Sequence, residues 1–124
     1  MYARRLSLTL TTDALGTVTG YIDVDFGQVS QIRYVKASTG NFADTVDFAI
    51  TVDGTGEGLW TEANVTASAT KAPRQPTHGV DGVASVYAAS DAVREKIAIA
   101  QDRIKFAVTN GGDTKVGTFH VVLV

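Results

Sequence analysis

Short runs in which apolar and polar residues alternate make up most of this chain, and turn residues separate them. In the first run, Tyr2–Leu10, the side chains of Leu6, Leu8 and Leu10 fall on one face of an extended strand, because successive side chains of a strand point to opposite faces. The clearest run is Val46–Val52, which is apolar at every second position from Val46. This period of two predicts β-strands that each bury one face. The chain is therefore predicted to be an all-β protein with at most one short helical turn.

About eight strands are predicted, separated by turns rich in Gly, Asp, Asn and Thr. The eight alternating runs are Tyr2–Leu10, Thr17–Phe26, Val29–Ala37, Val46–Val52, Leu59–Val65, Lys96–Ala100, Arg103–Thr109 and Lys115–Val124, and Val83–Tyr87 is a further candidate for a short strand. The first two runs are expected to pair as a hairpin, and Asn110-Gly111 predicts another hairpin between the last two. A helical turn is expected at Ser90–Glu95, capped by Ser90. This spacing indicates one antiparallel β-sandwich, jelly-roll-like, over residues 1–124.

The composition excludes several kinds of chemistry. The chain has no cysteine, so disulfides, zinc–thiolate sites and thiol catalysis are excluded. Its two histidines, His78 and His120, are far apart in sequence, so no metal site and no cofactor are predicted. A net charge of −2 gives no basic field for nucleic acid. No apolar stretch approaches the ~20 residues of a membrane span, and the start does not resemble a signal peptide.

Acidic and glycine-rich motifs in the chain are weak candidates for function. Asp23 and Asp25 share one strand face, where they are expected to keep an outer surface solvated. The glycine-rich segment Asp53–Glu57 lacks the ligand pattern of a calcium loop and is expected to be a hairpin turn. No catalytic residue is predicted, and the chain is not expected to be an enzyme. Charged residues are only 19% of the chain, against about 25% on average. This deficit is typical both of a surface partly covered by other subunits and of an ordinary β-protein with threonine-rich strands.

Partner contacts are expected where the alternation is interrupted. The interruptions are the segment Met1–Arg5, the loop Ser38–Asp44 and the loop Thr66–Gly82, which contains both prolines and a local basic cluster. A proline-stiffened loop loses little conformational freedom on docking, and Pro73–His78 is expected to be removable without unfolding the domain. The predicted partner-contact residues are Tyr2, Arg4, Arg5, Asn41, Phe42, Lys71, Pro73, Arg74, Pro76 and His78.

Six segments spread over the chain carry a family resemblance. They are Ile32–Val35, Asp47–Thr51, Leu59–Thr66, Ala72–His78, Arg103–Lys105 and Gly117–Val121. In these segments the chain resembles small virion-associated proteins encoded among the head and neck genes of tailed bacteriophages and prophages. The resemblance implies a structural protein of the virion, first of all a capsid decoration (cement) protein. Such a protein would be made in the host cytoplasm and would bind the exterior of the head.

The implied partners are the major capsid protein or other virion proteins, together with further copies of the chain in a trimer or higher ring. Two alternatives remain open at this point. The chain could be a neck or tail component or the base of a vertex spike. It could also be a carbohydrate-binding module for host attachment, which would need aromatic side chains exposed for stacking on sugar rings. The aromatic candidates for that role are Tyr21, Tyr34, Phe42 and Trp60.

Overall fold

Ten strands form the computed structural model, which describes residues 3–89 and 91–124. They are β1 (Arg4–Thr11), β2 (Val18–Lys36), β3 (Asp47–Val52), β4 (Gly58–Glu62), β5 (Ala69–Lys71), β6 (Arg74–Pro76), β7 (Val86–Ala88), β8 (Asp91–Ala92), β9 (Arg94–Thr109) and β10 (Val116–Leu123). Neighbouring strands pair antiparallel, and the described residues contain no helix. The predicted all-β, antiparallel, sandwich-like fold is confirmed.

Eight strands belong to one folded sheet whose order is β1-β10-β2-β9-β3-β4, with β5 beside β2 and β6 beside β9. The long strand β2 is shared by two layers, since its residues 18–29 pair with β9 and its residues 29–36 pair with β10. We call β1, β10 and residues 29–36 of β2 the first layer. Residues 18–29 of β2, together with β9, β3 and β4, are the second layer.

The two layers face each other across an aromatic core. Phe119 of β10 lies 5.0 Å from Phe48 of β3 between ring centroids, although these strands are not neighbours in the sheet. Tyr34 of β2 contacts both rings, at 5.4 Å and 4.9 Å. Leu10 of β1 covers Gly20 of β2 so closely that a Cβ at that glycine would overlap it. The apolar side chains of the alternating runs are therefore buried between the layers, as the period of two requires.

Gly117 of β10 offers a test of this packing. A Cβ at Gly117 would overlap the ring of Phe42, which is 1% exposed and stacked on Tyr34. We expect Gly117→Ala to lower the free energy of unfolding by about 1–3 kcal/mol, because the enclosed ring has little room to move. Urea denaturation measures the change. Gly58→Ala is the matched control, since a Cβ there has no neighbour within 4 Å; equal losses in the two variants would contradict the packing.

The hairpin turn predicted at Asp53–Glu57 is confirmed, because it joins the antiparallel pair β3 and β4, but the hairpins predicted for the first two runs and for the last two runs are wrong. β1 pairs with β10 along its whole length instead of with β2, and β9 pairs with β2 and β3 instead of with β10. The turns after β1 and after β9 carry the chain from one layer to the other. They lie side by side, with Gly111 N donating to Gly16 O at 2.9 Å and Thr12 Oγ1 donating to Gly112 O at 2.6 Å. Alternation determines which face of a strand is buried, but it does not choose the strand's partner.

Several predicted strand breaks are irregularities inside longer strands. The runs 17–26 and 29–37 join into β2, and the runs 96–100 and 103–109 join into β9. Gly27 and Gln101 have positive φ angles of 144° and 49°, and each lets its strand continue past a local bend. The predicted helical turn is wrong for residues 91–95, which are extended, with residues 91–92 in β8 and residues 94–95 in β9. Its predicted capping residue, Ser90, is outside the described residues.

Candidate partner-binding surfaces

Residues 77–93 form an arm that leaves the sandwich between β6 and β9. At its base Thr77 N donates to Val93 O at 2.8 Å, which continues the pairing of the two flanking strands. Ser85 N donates to Thr77 O at 2.7 Å and Val93 N donates to Ser85 O at 3.0 Å. The short strands β7 and β8 pair within the arm. The arm is therefore held together by its own backbone hydrogen bonds.

The arm exposes apolar side chains to an unusual extent. Of the eight large hydrophobic side chains that are exposed in the described part of the chain, five lie in it: Val80, Val83, Val86, Tyr87 and Val93. Tyr87 is 72% exposed. The arm also has two aspartates, Asp81 and Asp91, and no lysine or arginine. A two-stranded ribbon has no core of its own, so these side chains form a surface suited to a partner.

A second surface lies on the outer face of the first layer, and we call it the basic pocket. Three adjacent strands contribute to it, because Arg5 of β1 is opposite Val122 of β10, and Arg33 of β2 is opposite His120 of β10. The pocket has a volume of about 250 Å³ and is lined by Arg5, Gln31, Arg33, Val35, His120 and Val122. It therefore combines cationic and aliphatic groups in one small concavity.

The strand segments that form the basic pocket contribute no acidic side chain to its lining. None of the 13 acidic residues of the chain lies in β1, in β10 or in residues 28–36 of β2. The three ion pairs found among residues 3–89 and 91–124 involve neither Arg5 nor Arg33. His120 Nδ1 is hydrogen-bonded to Ser7 Oγ at 2.7 Å, which fixes the imidazole ring on this face. The pocket is therefore suited to an anionic group.

An acidic concavity lies on the outer face of the second layer. Asp23, Asp25 and Asp102, with Gln101 and Arg103, line an open cavity of about 450 Å³. Asp102 Oδ1 accepts hydrogen bonds from Gly54 N and Arg103 N at 2.9 Å and 2.8 Å. Among the described residues no group of three or more His, Cys, Asp or Glu side chains is placed to hold a metal ion. Asp23 and Asp25 are exposed, as expected for a solvated face.

Three of the predicted contact residues are part of the framework. Phe42 is a core side chain, and Pro73 is buried, so their prediction as surface contacts is wrong. Arg74 is half-buried, and its Nη1 donates to the carbonyl oxygens of Val29, Ser30 and Pro73. Because residues 74–76 form β6 and pair with β9, deletion of 73–78 would remove a paired strand. In contrast to the prediction from the sequence, we therefore expect this deletion to lower the free energy of unfolding of the sandwich.

The other predicted contact residues are distributed over several surfaces. Arg5 lines the basic pocket, and His78 lies exposed near the base of the arm, next to the half-buried Pro76 and Thr77. Arg4 packs its guanidinium over Phe26 and donates to the Phe26 carbonyl oxygen. Asn41 and Lys71 have partners within the chain, since Asn41 Nδ2 donates to Ala37 O and Lys71 pairs with Glu62. Tyr2 lies outside the described residues.

The aromatic residues considered for carbohydrate stacking do not form an exposed platform. Tyr34 and Phe42 are each 1% exposed and Trp60 is 6% exposed. Tyr21 is 39% exposed, but the guanidinium of Arg103 lies 3.8 Å from its ring centroid. Arg103 is in turn hydrogen-bonded to Asp53 at 2.8 Å, which raises the pKa of its guanidinium. Three of the four rings therefore belong to the core, and the fourth is already stacked.

Trp60 and Lys71 make the stability of the β4 edge dependent on pH. Trp60 Nε1 donates to Glu62 Oε1 at 3.1 Å, and this bond, followed by the one from Lys71, lowers the pKa of Glu62. A lowered folded-state pKa gives stability that is present above the ordinary glutamate pKa and is lost as pH falls through the lowered value. We expect Glu62→Gln to cost less than about 1 kcal/mol at neutral pH, since Glu62 is partly exposed, and less still in acid.

Urea denaturation followed by Trp60 fluorescence, at neutral pH and below the ordinary glutamate pKa, measures this difference. Glu57→Gln, in the turn before β4, controls for the loss of one carboxylate. A Glu62→Gln cost that grows as the pH falls would contradict the expected direction.

Comparisons of the chain with models of protein families, with curated proteins and with solved structures found no match. Within residues 3–89 and 91–124, no helix has the length and apolar character needed to cross a membrane.

The structure presents two candidate surfaces for a partner, the apolar arm and the basic pocket. The sequence pattern predicted neither as a unit. The signal for the arm was a stretch with neither lysine nor arginine, from residue 75 to residue 93.

Proposed function

We propose that the chain is a non-enzymatic structural protein of a bacteriophage virion. In this proposal it is a capsid decoration protein that binds the exterior of the head and bridges major capsid subunits. The observation that carries the proposal is the arm, where five exposed apolar side chains are held on a ribbon outside the sandwich. Such a surface is suited to contact with other proteins. The resemblance to virion-associated proteins is the reason for proposing that those proteins belong to a virion.

The energetics of a repeated lattice suit a contact of this kind. Burying one valine or tyrosine side chain contributes on the order of 2 kcal/mol, and part of that gain is offset by the entropy lost on association. A single arm therefore gives a weak contact. Many copies that hold one another as well as the shell convert weak contacts into stable coverage. This combination would let the protein add buried interface across a shell that packaged DNA tends to expand.

Copy number per particle tests the proposal. Virions of the phage or induced prophage that encodes the chain are purified, and its band is compared with that of the major capsid protein by densitometry. A decoration protein is expected at a copy number comparable to that of the major capsid protein. A small fraction of that number would overturn the decoration role in favour of a ring at the neck, tail or vertex. Absence of the chain from purified virions would overturn the virion role altogether.

A further inference from the structure

We infer that the arm of one copy docks into the basic pocket of a second copy, so that the chains associate head to tail. This contact would join an exposed apolar ribbon that has two aspartates to a cationic concavity. It concerns the purified protein alone and does not depend on a role in the virion. Its first support is the charge of the two surfaces.

Charge is complementary between the arm and the basic pocket. The arm contains Asp81, Asp91 and one histidine, His78, and the nearest lysine or arginine residues along the chain, Arg74 and Arg94, lie outside it. Both aspartates are exposed. The pocket contributes Arg5, Arg33 and His120, from strands that hold no acidic residue in this layer. Two oppositely charged patches of this kind attract each other and fix the orientation of docking.

The apolar groups of the two surfaces also correspond. The basic pocket presents Val35 and Val122 beside its two guanidinium groups, and the arm presents the ring of Tyr87 among valines. An aromatic ring packs well against a guanidinium plane, and this chain already uses that contact twice, at Phe26 and Tyr21. A volume of about 250 Å³ is smaller than a typical small-molecule site, which favours an inserted side chain as the occupant.

Repulsion between like charges disfavours a symmetric dimer, and a head-to-tail arrangement avoids it. Pairing the basic pocket with a copy of itself would place guanidinium groups against guanidinium groups. Pairing two arms would place Asp81 and Asp91 of one copy beside those of the other. Contact between two different surfaces avoids both repulsions, and it forms a ring if the rotation between copies closes.

The acidic concavity of the second layer is a weaker partner for the basic pocket. Its Asp23 is opposite Arg103 in the sheet register, and Asp102 already accepts two backbone hydrogen bonds. None of the five residues that line it is apolar. It would therefore match the charge of the basic pocket without covering Val35 and Val122. This alternative is separated from the arm in the experiment below.

Charge reversal on each surface tests the inference. The arm-reversed variant carries Asp81→Lys and Asp91→Lys, and the pocket-reversed variant carries Arg5→Glu and Arg33→Glu. Each variant alone is expected to dissociate, because its arm and its pocket then have the same sign. An equimolar mixture is expected to associate again, since every arm meets a pocket of opposite sign. Sedimentation velocity over a concentration series, with the wild-type chain alongside, measures the association.

The matched control is Asp23→Lys with Asp25→Lys, which makes the same charge change on the acidic concavity and is expected to keep the wild-type association. A monomeric wild-type chain at all concentrations would overturn the inference, and so would arm-reversed chains that associate as the wild type does. Dissociation of the control with the arm-reversed variant unaffected would assign the contact to the acidic concavity. A single chain with all four arm and pocket substitutions should associate again, which separates loss of the contact from loss of folding.

Discussion

Replacing Phe48 by alanine is expected to lower the free energy of unfolding by about 3–5 kcal/mol, a large part of the stability of a domain of this size. Phe48 is 1% exposed and joins the two layers. Its ring contacts Tyr34, Phe119 and Trp60 at centroid distances of 4.9 to 5.3 Å. Its removal leaves a cavity that rigid neighbouring rings cannot fill, so both the transfer energy and the packing are lost.

Phe26→Ala is the matched control for that change, because it removes the same side chain from a position that is 63% exposed. The contact with the Arg4 guanidinium is lost there, and such a contact is worth about 0.5–1 kcal/mol at an exposed site. Urea denaturation of both variants, followed by far-ultraviolet circular dichroism, measures the two costs. Similar costs for Phe48→Ala and Phe26→Ala would contradict a core placed between the two layers.

The period of two was sufficient to predict the fold class and most of the core. Phe48, Phe106 and Phe119 occupy alternate positions in their runs, and all three are buried. This agreement has a simple cause, since the face that a strand side chain occupies is a local property of an extended backbone. The same reasoning placed Asp23 and Asp25 on an outer face. The face of the strand on which each side chain lies can therefore be predicted from a single sequence.

Strand pairing was not predictable in the same way, because it depends on contacts between residues far apart in the chain. The Asn110-Gly111 pair predicts a hairpin, yet the turn carries the chain to the other layer, where β10 pairs with β1 and β2. Gly27 predicts the end of a strand, yet β2 continues through it. Turn residues indicate a change of direction, and tertiary packing decides whether the strands on either side meet.

The candidate surfaces show the same difference between what local strand geometry determines and what depends on strand pairing. The sequence predicts Phe42 as a contact because it lies in a loop, but the loop folds inward and the Phe42 ring completes the aromatic core. Arg5, predicted as a contact in the segment Met1–Arg5, lines a concavity. The sequence does not predict Arg33 and His120, because only the pairing of three strands brings them next to Arg5. A surface assembled across strands is visible only after the register is known.

Removal of the arm is expected to abolish attachment of the chain to its partners while leaving the sandwich folded. The change replaces residues 78–92 by Asn-Gly, a two-residue turn that suits an antiparallel pair. Thr77 and Val93 already face each other, with Thr77 N and Oγ1 both donating to Val93 O. Of the residues removed, those that the structure describes are exposed or, at Ala92, half-buried. We therefore expect the free energy of unfolding to change by less than about 1 kcal/mol.

Binding of the shortened chain to purified heads that lack it, measured by co-sedimentation, is expected to fall to the background level. A second variant, Val83→Ser with Tyr87→Ser, keeps the arm's length and charge and should lose most of the binding, because the apolar contact itself is removed. Leu15→Ser, at a position 86% exposed in another turn, is the control that should bind normally. Full binding by the shortened chain would mean that the exposed valines and Tyr87 are not the attachment surface, and that the outer faces of the two layers are.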